Sequence, residues 1–152
     1  TLLNPGKLSD KEWVLMKKHC EIGCDILRHY SSAKEHAKVS FDGIIGMAHT
    51  DRELSLLEMA MVIALTHHER WDGQGYPSGL SGRQIPLISR IVAVVDVYDA
   101  LGSERPYKQP LSEDVCQQII RQGAGSHFDP EIVELFFANI DTIVSIKKEW
   151  MD

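Results

Sequence analysis

The chain has 152 residues, of which 43% are hydrophobic and 25% are charged, a size and composition typical of one soluble domain with its own core. Its formal net charge of −6 argues against a broad DNA- or RNA-binding surface, which needs a basic patch. No apolar run reaches the roughly 20 residues that span a bilayer, and the cysteines show no disulfide pattern, which favours a reducing cytoplasm.

The first predicted helix begins at Asp10, because Ser9 and Glu12 have the spacing of a capping box. Its core face is a stripe of residues at helical spacing, namely Trp13, Met16, Cys20, Cys24 and Leu27. His19 lies next to this stripe and, by pattern alone, can be a satisfied boundary histidine. Cys20 and Cys24 can share a face beside it. A zinc site there would need further ligands at suitable spacing, so core packing is the favoured interpretation.

The next stretch, residues 31–49, is predicted to be a polar segment followed by a short helix or a packed loop. His36 and His49 lie in it, and we interpret both as surface or boundary histidines. Its apolar residues fall at the end of the stretch, at Ile44, Ile45 and Met47.

A second capping box is predicted at Thr50 and Glu53, and the helix that follows ends with His67 and His68. This helix is apolar on most sides and should be buried, which brings the two histidines close to the core. Histidines there lose solvation and need a partner, which can be a metal or a carboxylate.

A glycine-rich loop follows these histidines, and residues 67–77 together read HHERWDGQGYP. Gly73 and Gly75 allow a positive φ or a close backbone approach, and Pro77 fixes the exit of the loop. The simplest alternative is a helix end followed by an ordinary turn. Two adjacent histidines and a glutamate before an aromatic loop favour a functional site instead.

Residues 87–101 form a run rich in Ile and Val, which by itself would also fit a buried strand. Its length, with Pro86 before it and Gly102 after it, favours a helix. Asp96 stands among valines in this helix, where a carboxylate is expected to be buried and therefore paired or bound to metal. Asp99 approximately shares its face. The alternative to a metal is an ion pair of Asp96 with Arg90 or with a lysine.

Two further helices complete the prediction. One begins after Ser112 and ends at Gly123, and the other has Asp129 as its cap and Pro130 in its first turn. Together these elements predict an all-α domain of five or more helices.

Three separated segments, in order, resemble the HD-GYP family, a branch of the HD-domain metal-dependent phosphohydrolases. The segments are residues 5–27, 67–77 and 96–108, followed by a matching pattern at 127–130 that we interpret as structural. The resemblance covers residues 1–152 as a single HD-GYP-like domain, apart from an expected insertion at approximately 31–53. The sequence contains no His-Asp dipeptide. The resemblance therefore implies the C-terminal portion of an HD-domain-like helical bundle, truncated at its N-terminus.

The same resemblance implies a phosphodiesterase that hydrolyses cyclic di-GMP with one or two divalent transition-metal ions, iron or manganese. Its metal ligands are His19, His67, His68 and Asp96, of which the last three are also the catalytic residues. Its substrate contacts are Gly75, Tyr76, Arg105 and Lys108. Chemically, Arg105 offers a bidentate fork for phosphate, and Lys108 offers a point charge.

Without the His-Asp ligands, we expect this chain to be weakly active or inactive on its own. One alternative function is a non-catalytic module that binds a cyclic dinucleotide or another protein, with Trp71 and Tyr76 exposed for contact. Another is nucleotide hydrolysis of the kind found in other HD proteins. The expected partners are cyclic di-GMP, a diguanylate cyclase-type domain and a second copy of the chain. The homodimer is expected because the helix ending at His68 and the helix at 87–101 should expose apolar surface.

Overall fold

The computed structural model describes residues 9–30, 39–104 and 109–151, apart from the side chains of residues 150 and 151. These ranges contain eight α-helices, a short 3-10 turn and no β-strand, which confirms the predicted all-α class. The helices are α1 (Asp10–Lys17), α2 (His19–Tyr30), α3 (Phe41–Met47), α4 (Leu56–Thr66), α5 (Leu87–Gly102), α6 (Glu113–Gln122), α7 (Pro130–Ala138) and α8 (Ile140–Met151). None of the helices in these ranges is both long enough and apolar enough to span a membrane.

Both α1 and α4 begin with a capping box, and only the first was predicted at the right place. At α1, the N–H of Ser9 donates to the carboxylate of Glu12 at 2.8 Å. The box predicted at Thr50 is wrong, because the hydroxyl of Thr50 donates back to a carbonyl of α3. The box of α4 is formed by Ser55 and Glu58 instead, and this helix therefore begins later than predicted.

The N-terminal segment consists of two helices rather than the single helix that its apolar stripe predicted. The N–H of Lys18 donates to the carbonyl of Leu15, three residues back, and α2 begins at the next residue. Because of this break, only the second half of the stripe faces the core. Cys20 and Cys24 are fully buried, whereas Trp13 is 46% exposed.

Of the two alternatives predicted after the polar stretch, a short helix or a packed loop, the structure has the helix, α3, which buries Ile44 and Ile45. His49 follows it as an exposed histidine, as predicted, and its Nε2 lies 3.0 Å from the carbonyl oxygen of Gln84. His36 lies outside the described residues. The insertion at 31–53 itself stays a prediction.

Two apolar cores organise the described part of the chain, and α4 and α5 join them. At the join, the hydroxyls of Thr66 and Ser89 form a buried hydrogen bond of 2.7 Å. The core around α2, α3 and α4 is built from Cys24, Ile44, Ile45, Met61, Val62 and Leu65. The core around α5, α6 and α7 is built from Val94, Tyr98, Cys116, Ile120, Phe128, Ile132, Val133 and Phe136.

The run at 87–101 is a helix, as predicted, and a buried ion pair fixes its orientation. Arg90 pairs with Asp129 at 2.6 Å, and the side chain of Asp129 is fully buried. Asp129 also accepts the N–H of Glu131 and so caps α7. The proposed alternative, an ion pair between Arg90 and Asp96, is therefore wrong, since Arg90 has a different partner.

Candidate metal centre

Three histidines from two helices meet at one end of the α2–α4 pair. His67 and His68 follow the last turn of α4, and His19 is the first residue of α2. The ring centroid of His19 lies 5.5 Å from that of His67 and 4.9 Å from that of His68. The two neighbouring rings of His67 and His68 are 4.1 Å apart. The fold thus brings together the histidines that the sequence motifs singled out.

Backbone carbonyls orient two of these imidazoles. The Nδ1 atom of His19 lies 2.7 Å from the carbonyl oxygen of Met16, and Nδ1 of His67 lies 2.9 Å from that of Ile63. A carbonyl can only accept, so in both rings the proton is assigned to Nδ1 and the lone pair to Nε2. Metal-binding histidines in proteins are held in this way, with the second nitrogen donating to a backbone carbonyl or a carboxylate.

A fourth donor, the thiol of Cys20, belongs to the same group. One donor atom each from His19, Cys20, His67 and His68 lies within 4.8 Å of the other three. The sulfur of Cys20 is 3.6 Å from Nε2 of His19. The sequence favoured core packing for Cys20. The feature of the sequence that pointed to a place in the site was its position next to His19. Burial, aided by the charge of Glu69, raises the pKa of the Cys20 thiol to about 11.

The imidazole of His68 is neutral at pH 7. Burial, together with the neighbouring His67 and His19, lowers the pKa of His68 to about 4. The carboxylate of Asp96 acts in the opposite direction and is outweighed. A neutral imidazole keeps a free lone pair, which is the form that binds a metal.

Asp96 is exposed, and the expectation that it is buried among valines is wrong. The face of α5 that enters the core carries Val94 and Tyr98, while Val95 next to Asp96 is 51% exposed. Asp96 nevertheless lies close enough to His68 and Tyr76 to influence the pKa of both. Among the described residues, its oxygens are not part of the four-donor group.

The aromatic loop places Tyr76 against the histidines. The ring of Tyr76 lies 4.9 Å from that of His68 and 6.4 Å from that of His19, measured between centroids. The ammonium group of Lys17 lies 5.2 Å from the centroid of the Tyr76 ring. Burial raises the pKa of Tyr76 to about 12, so its phenol stays protonated at neutral pH.

Glu69 holds this loop in place, a role that the sequence did not reveal. Its carboxylate is almost fully buried and accepts the N–H groups of Ser78 at 2.7 Å and Leu80 at 2.9 Å. The close backbone approach expected at Gly75 is confirmed. A Cβ there would overlap the backbone nitrogen of Arg70 and lie 2.5 Å from Cα of Glu69. The histidine pair and the Gly-Tyr-Pro turn are therefore one packed unit.

The remaining predicted contacts are placed only in part. Trp71, expected to be exposed, is half-buried, and its backbone N–H donates to the backbone carbonyl of His127. Tyr76 is half-buried as well. Arg105 and Lys108 lie outside the described residues, so their contacts with phosphate stay predictions.

The chain resembles known proteins over most of its length. A family model for the HD domain matches residues 1–132. The chain belongs to the HD-domain family. The resemblance to HD-domain phosphohydrolases, which are metal-dependent, is thus confirmed, and the His/Cys group is the place in the described chain that suits a metal.

Three relatives of this HD domain are named as phosphodiesterases. A cyclic di-GMP phosphodiesterase of Vibrio cholerae is 44% identical over 99% of the chain and 27% of its own length. A 3'3'-cGAMP-specific phosphodiesterase 2 of the same organism is 36% identical over 99% of the chain and 25% of its own length. A cyclic di-GMP phosphodiesterase of Thermotoga maritima is 40% identical over 89% of the chain and 31% of its own length. The chain thus spans about a quarter to a third of the length of these relatives.

Proposed function

We propose that this HD domain forms the site of a metal-dependent phosphodiesterase that hydrolyses cyclic di-GMP. The observation that carries the proposal is the convergence of His19, His67 and His68, with donor atoms within 4.8 Å of one another beside Tyr76. The relatives support the choice of substrate class, since they are named as phosphodiesterases of cyclic di-GMP or of cGAMP.

A bound divalent ion would supply Lewis acidity and a hydroxide at neutral pH. His19 and His67 would hold the ion through Nε2, because their Nδ1 atoms already donate to carbonyls. His68 needs no deprotonation to join them at pH 7, since its pKa is lowered to about 4. Iron and manganese are the proposed metals, with Asp96 as the oxygen ligand at the exposed rim.

Local cations would bind the substrate, because the chain as a whole is acidic and the substrate carries two phosphodiester anions. Lys17 stands at the rim beside Tyr76. Arg105 and Lys108, which follow α5 in the sequence, are the proposed phosphate contacts. The protonated phenol of Tyr76 can donate a hydrogen bond to a phosphoryl oxygen, and Gly75 keeps that ring in place by allowing the loop to pack closely.

The test of this proposal compares His68→Ala with His49→Ala. We expect His68→Ala to lose bound metal and to hydrolyse cyclic di-GMP about 100-fold more slowly or worse, because it removes a ligand. His49→Ala should keep both properties, since His49 is exposed, its ring lies at the Gln84 carbonyl, and it does not belong to the four-donor group of the described residues. Metal content is measured by elemental analysis, and product by chromatography after anaerobic incubation with manganese or ferrous iron. Equal metal content in the parent and both variants would contradict the assignment.

A non-catalytic binding module is the second candidate, and one observation favours it. In the described part of the chain, the four-donor group contains no carboxylate that could bridge a second ion. We infer that turnover by these 152 residues alone is slow. Calorimetry with cyclic di-GMP, followed by chromatography of the same sample, separates the two functions. Stoichiometric binding without product indicates the module, and product formation indicates the enzyme.

A further inference from the structure

Cys20 and Cys24 are both buried cysteines of α2, but their surroundings differ. Cys24 packs within the apolar core of α2, α3 and α4. Cys20, one turn earlier, faces the imidazoles and contributes its sulfur to the four-donor group. Two cysteines with equal burial and different neighbours provide a natural comparison.

The distance between the sulfur and the nearest imidazole nitrogen matches a metal site. In a tetrahedral zinc site, with Zn–S of about 2.3 Å and Zn–N of about 2.0–2.1 Å, neighbouring S and N ligands are about 3.6 Å apart. Sγ of Cys20 and Nε2 of His19 are 3.6 Å apart. The pair thus already has the spacing of two ligands of one ion, and the donor atoms of His67 and His68 lie within 4.8 Å.

We propose that Cys20 is a thiolate ligand of the ion that His19, His67 and His68 hold. This inference rests on the metal site of the proposed function and extends its ligand set beyond the motif residues. On binding, the S–H bond of Cys20 breaks, a sulfur–metal bond forms and the proton passes to water.

A ligand set of three imidazoles and one thiolate changes the metal preference of the site. Thiolate favours softer ions, so zinc and cobalt(II) should bind more tightly than manganese, which prefers oxygen ligands. Zinc or cobalt(II) would have four protein ligands, as in structural zinc sites, whereas iron or manganese, which accept more ligands, would keep positions for Asp96 and water. Slow turnover is therefore expected of the zinc- or cobalt-loaded chain, and the proposed hydrolysis of the iron- or manganese-loaded one.

The experiment is a titration of the metal-free, reduced chain with cobalt(II) alone, followed by absorption spectroscopy. A thiolate bound to cobalt(II) gives an intense charge-transfer band in the near ultraviolet, which imidazole ligands do not give. We expect the band in the parent chain and in Cys24→Ser, the matched control. Cys20→Ser should lack the band and bind cobalt about tenfold more weakly or worse.

Three other outcomes would overturn either the thiolate ligand or the metal site. Cobalt binding without the band in the parent chain overturns the thiolate ligand and leaves the histidine site intact. A band that persists in Cys20→Ser also overturns it. Absence of cobalt binding in the parent chain overturns the metal site itself, and with it the proposed function.

A measurement on the unaltered chain covers the case in which Cys20→Ser fails to fold. X-ray absorption of the zinc-loaded chain reports the atoms around the ion directly. We expect one sulfur neighbour at about 2.3 Å among nitrogen neighbours at about 2.0–2.1 Å. A first shell that contains only nitrogen and oxygen would overturn the proposal.

Discussion

Gly75 lies where the turn before Pro77 presses on the backbone of the preceding histidine segment. Its Cβ position is blocked by backbone atoms of Glu69 and Arg70, which cannot move aside as a flexible side chain can. We expect Gly75→Ala to displace the loop, to destabilise the domain by roughly 1–3 kcal/mol and to lower activity through Tyr76. Urea unfolding and hydrolysis of cyclic di-GMP provide the two measurements.

Gly46 in α3 is the matched control, because no described atom outside its chain neighbours and its own helix backbone lies within 4 Å of its Cβ position. Gly46→Ala should be neutral or stabilising by up to about 1 kcal/mol, since alanine favours the helix. If Gly75→Ala were as stable and as active as Gly46→Ala, the close packing of the loop would be unimportant.

The candidate site could be predicted from sequence only where its residues belong to a motif. His67 and His68 stand next to the Gly-rich loop, and His19 stands in a segment that resembles the HD-GYP family. The sequence therefore predicted all three as site residues. Cys20 was assigned to core packing because a core cysteine and a donor atom beside the histidines give the same helical stripe. The burial of Asp96 was mispredicted because a helix with Ile and Val on many sides does not reveal which face meets the core.

The carboxylate of Glu113 connects α6 to α5 and α8. Glu113 accepts hydrogen bonds from the hydroxyl of Tyr98 at 2.6 Å and the amide of Gln117 at 2.9 Å, and its carboxylate is 3.6 Å from Lys147. Burial acts to raise the pKa of Glu113, but these hydrogen bonds and the lysine charge outweigh it and hold the pKa below its usual value. The ionised carboxylate is therefore the form that stabilises the fold.

We predict that this stabilisation is lost in acid. Because the pKa of Glu113 is lower in the folded state, its ionised carboxylate stabilises the fold fully at pH values above the unfolded pKa of about 4.5. This stabilisation is lost as the pH falls through the folded-state pKa. Glu113→Gln should cost on the order of 1 kcal/mol at pH 7, a modest figure because the side chain is partly screened by solvent. The cost should shrink in unfolding experiments below about pH 4.

Glu131→Gln serves as the control for this titration, because Glu131 forms an exposed pair with Arg83. Such a pair contributes little at either pH. A deficit of Glu113→Gln that stays constant from pH 7 to pH 3 would mean that ionisation of Glu113 does not stabilise the fold.

Element boundaries show where sequence patterns become ambiguous. Both Thr50 and Ser55 are followed three residues later by a glutamate, so each satisfies the capping-box pattern. The structure uses Ser55, whose partner Glu58 is also held by Arg52 at 2.7 Å. That choice depends on a contact between residues that the local pattern does not include. By contrast, the start at Ser9 had no competing signal, and at 87–101 the flanking Pro86 and Gly102 favoured a helix over a strand.

At the scale of the whole molecule, α5 carries an exposed apolar stripe. Leu87, Ile91 and Val95 follow one another at four-residue spacing and are 54%, 43% and 51% exposed. A groove of about 390 Å³ beside them is lined by apolar side chains that include Leu54 and Met59. Exposed apolar surface of this kind marks a contact site.

We therefore predict that the chain forms a dimer through this stripe. Light scattering should give twice the chain mass of 17.1 kDa, and Leu87→Glu combined with Ile91→Glu should return it to a monomer. Leu135→Glu, on the exposed side of α7, should leave the dimer intact. A compact monomer of the parent chain at high concentration would be incompatible with this prediction.

Metal should also raise the thermal stability of the whole domain. An ion that binds only the folded chain adds about 2.7 kcal/mol at 100 times its dissociation constant, or roughly 5–10 °C for a domain of this size. Calorimetry with and without cobalt(II) measures the shift. His68→Ala should show a much smaller shift, and an equal shift in both proteins would place the binding elsewhere.

The positions of His19 and His67 along the chain have a consequence for the proposed metal site. They are 67 − 19 = 48 residues apart, on opposite sides of α3, yet their rings meet. An unfolded chain would have to close this loop around an ion, at an entropic cost on the order of 4 kcal/mol. In the folded chain the two rings already lie together, so the proposed ion would cross-link the chain without this cost. A chelator would remove such a cross-link, whereas a reductant, which cleaves disulfides, would not.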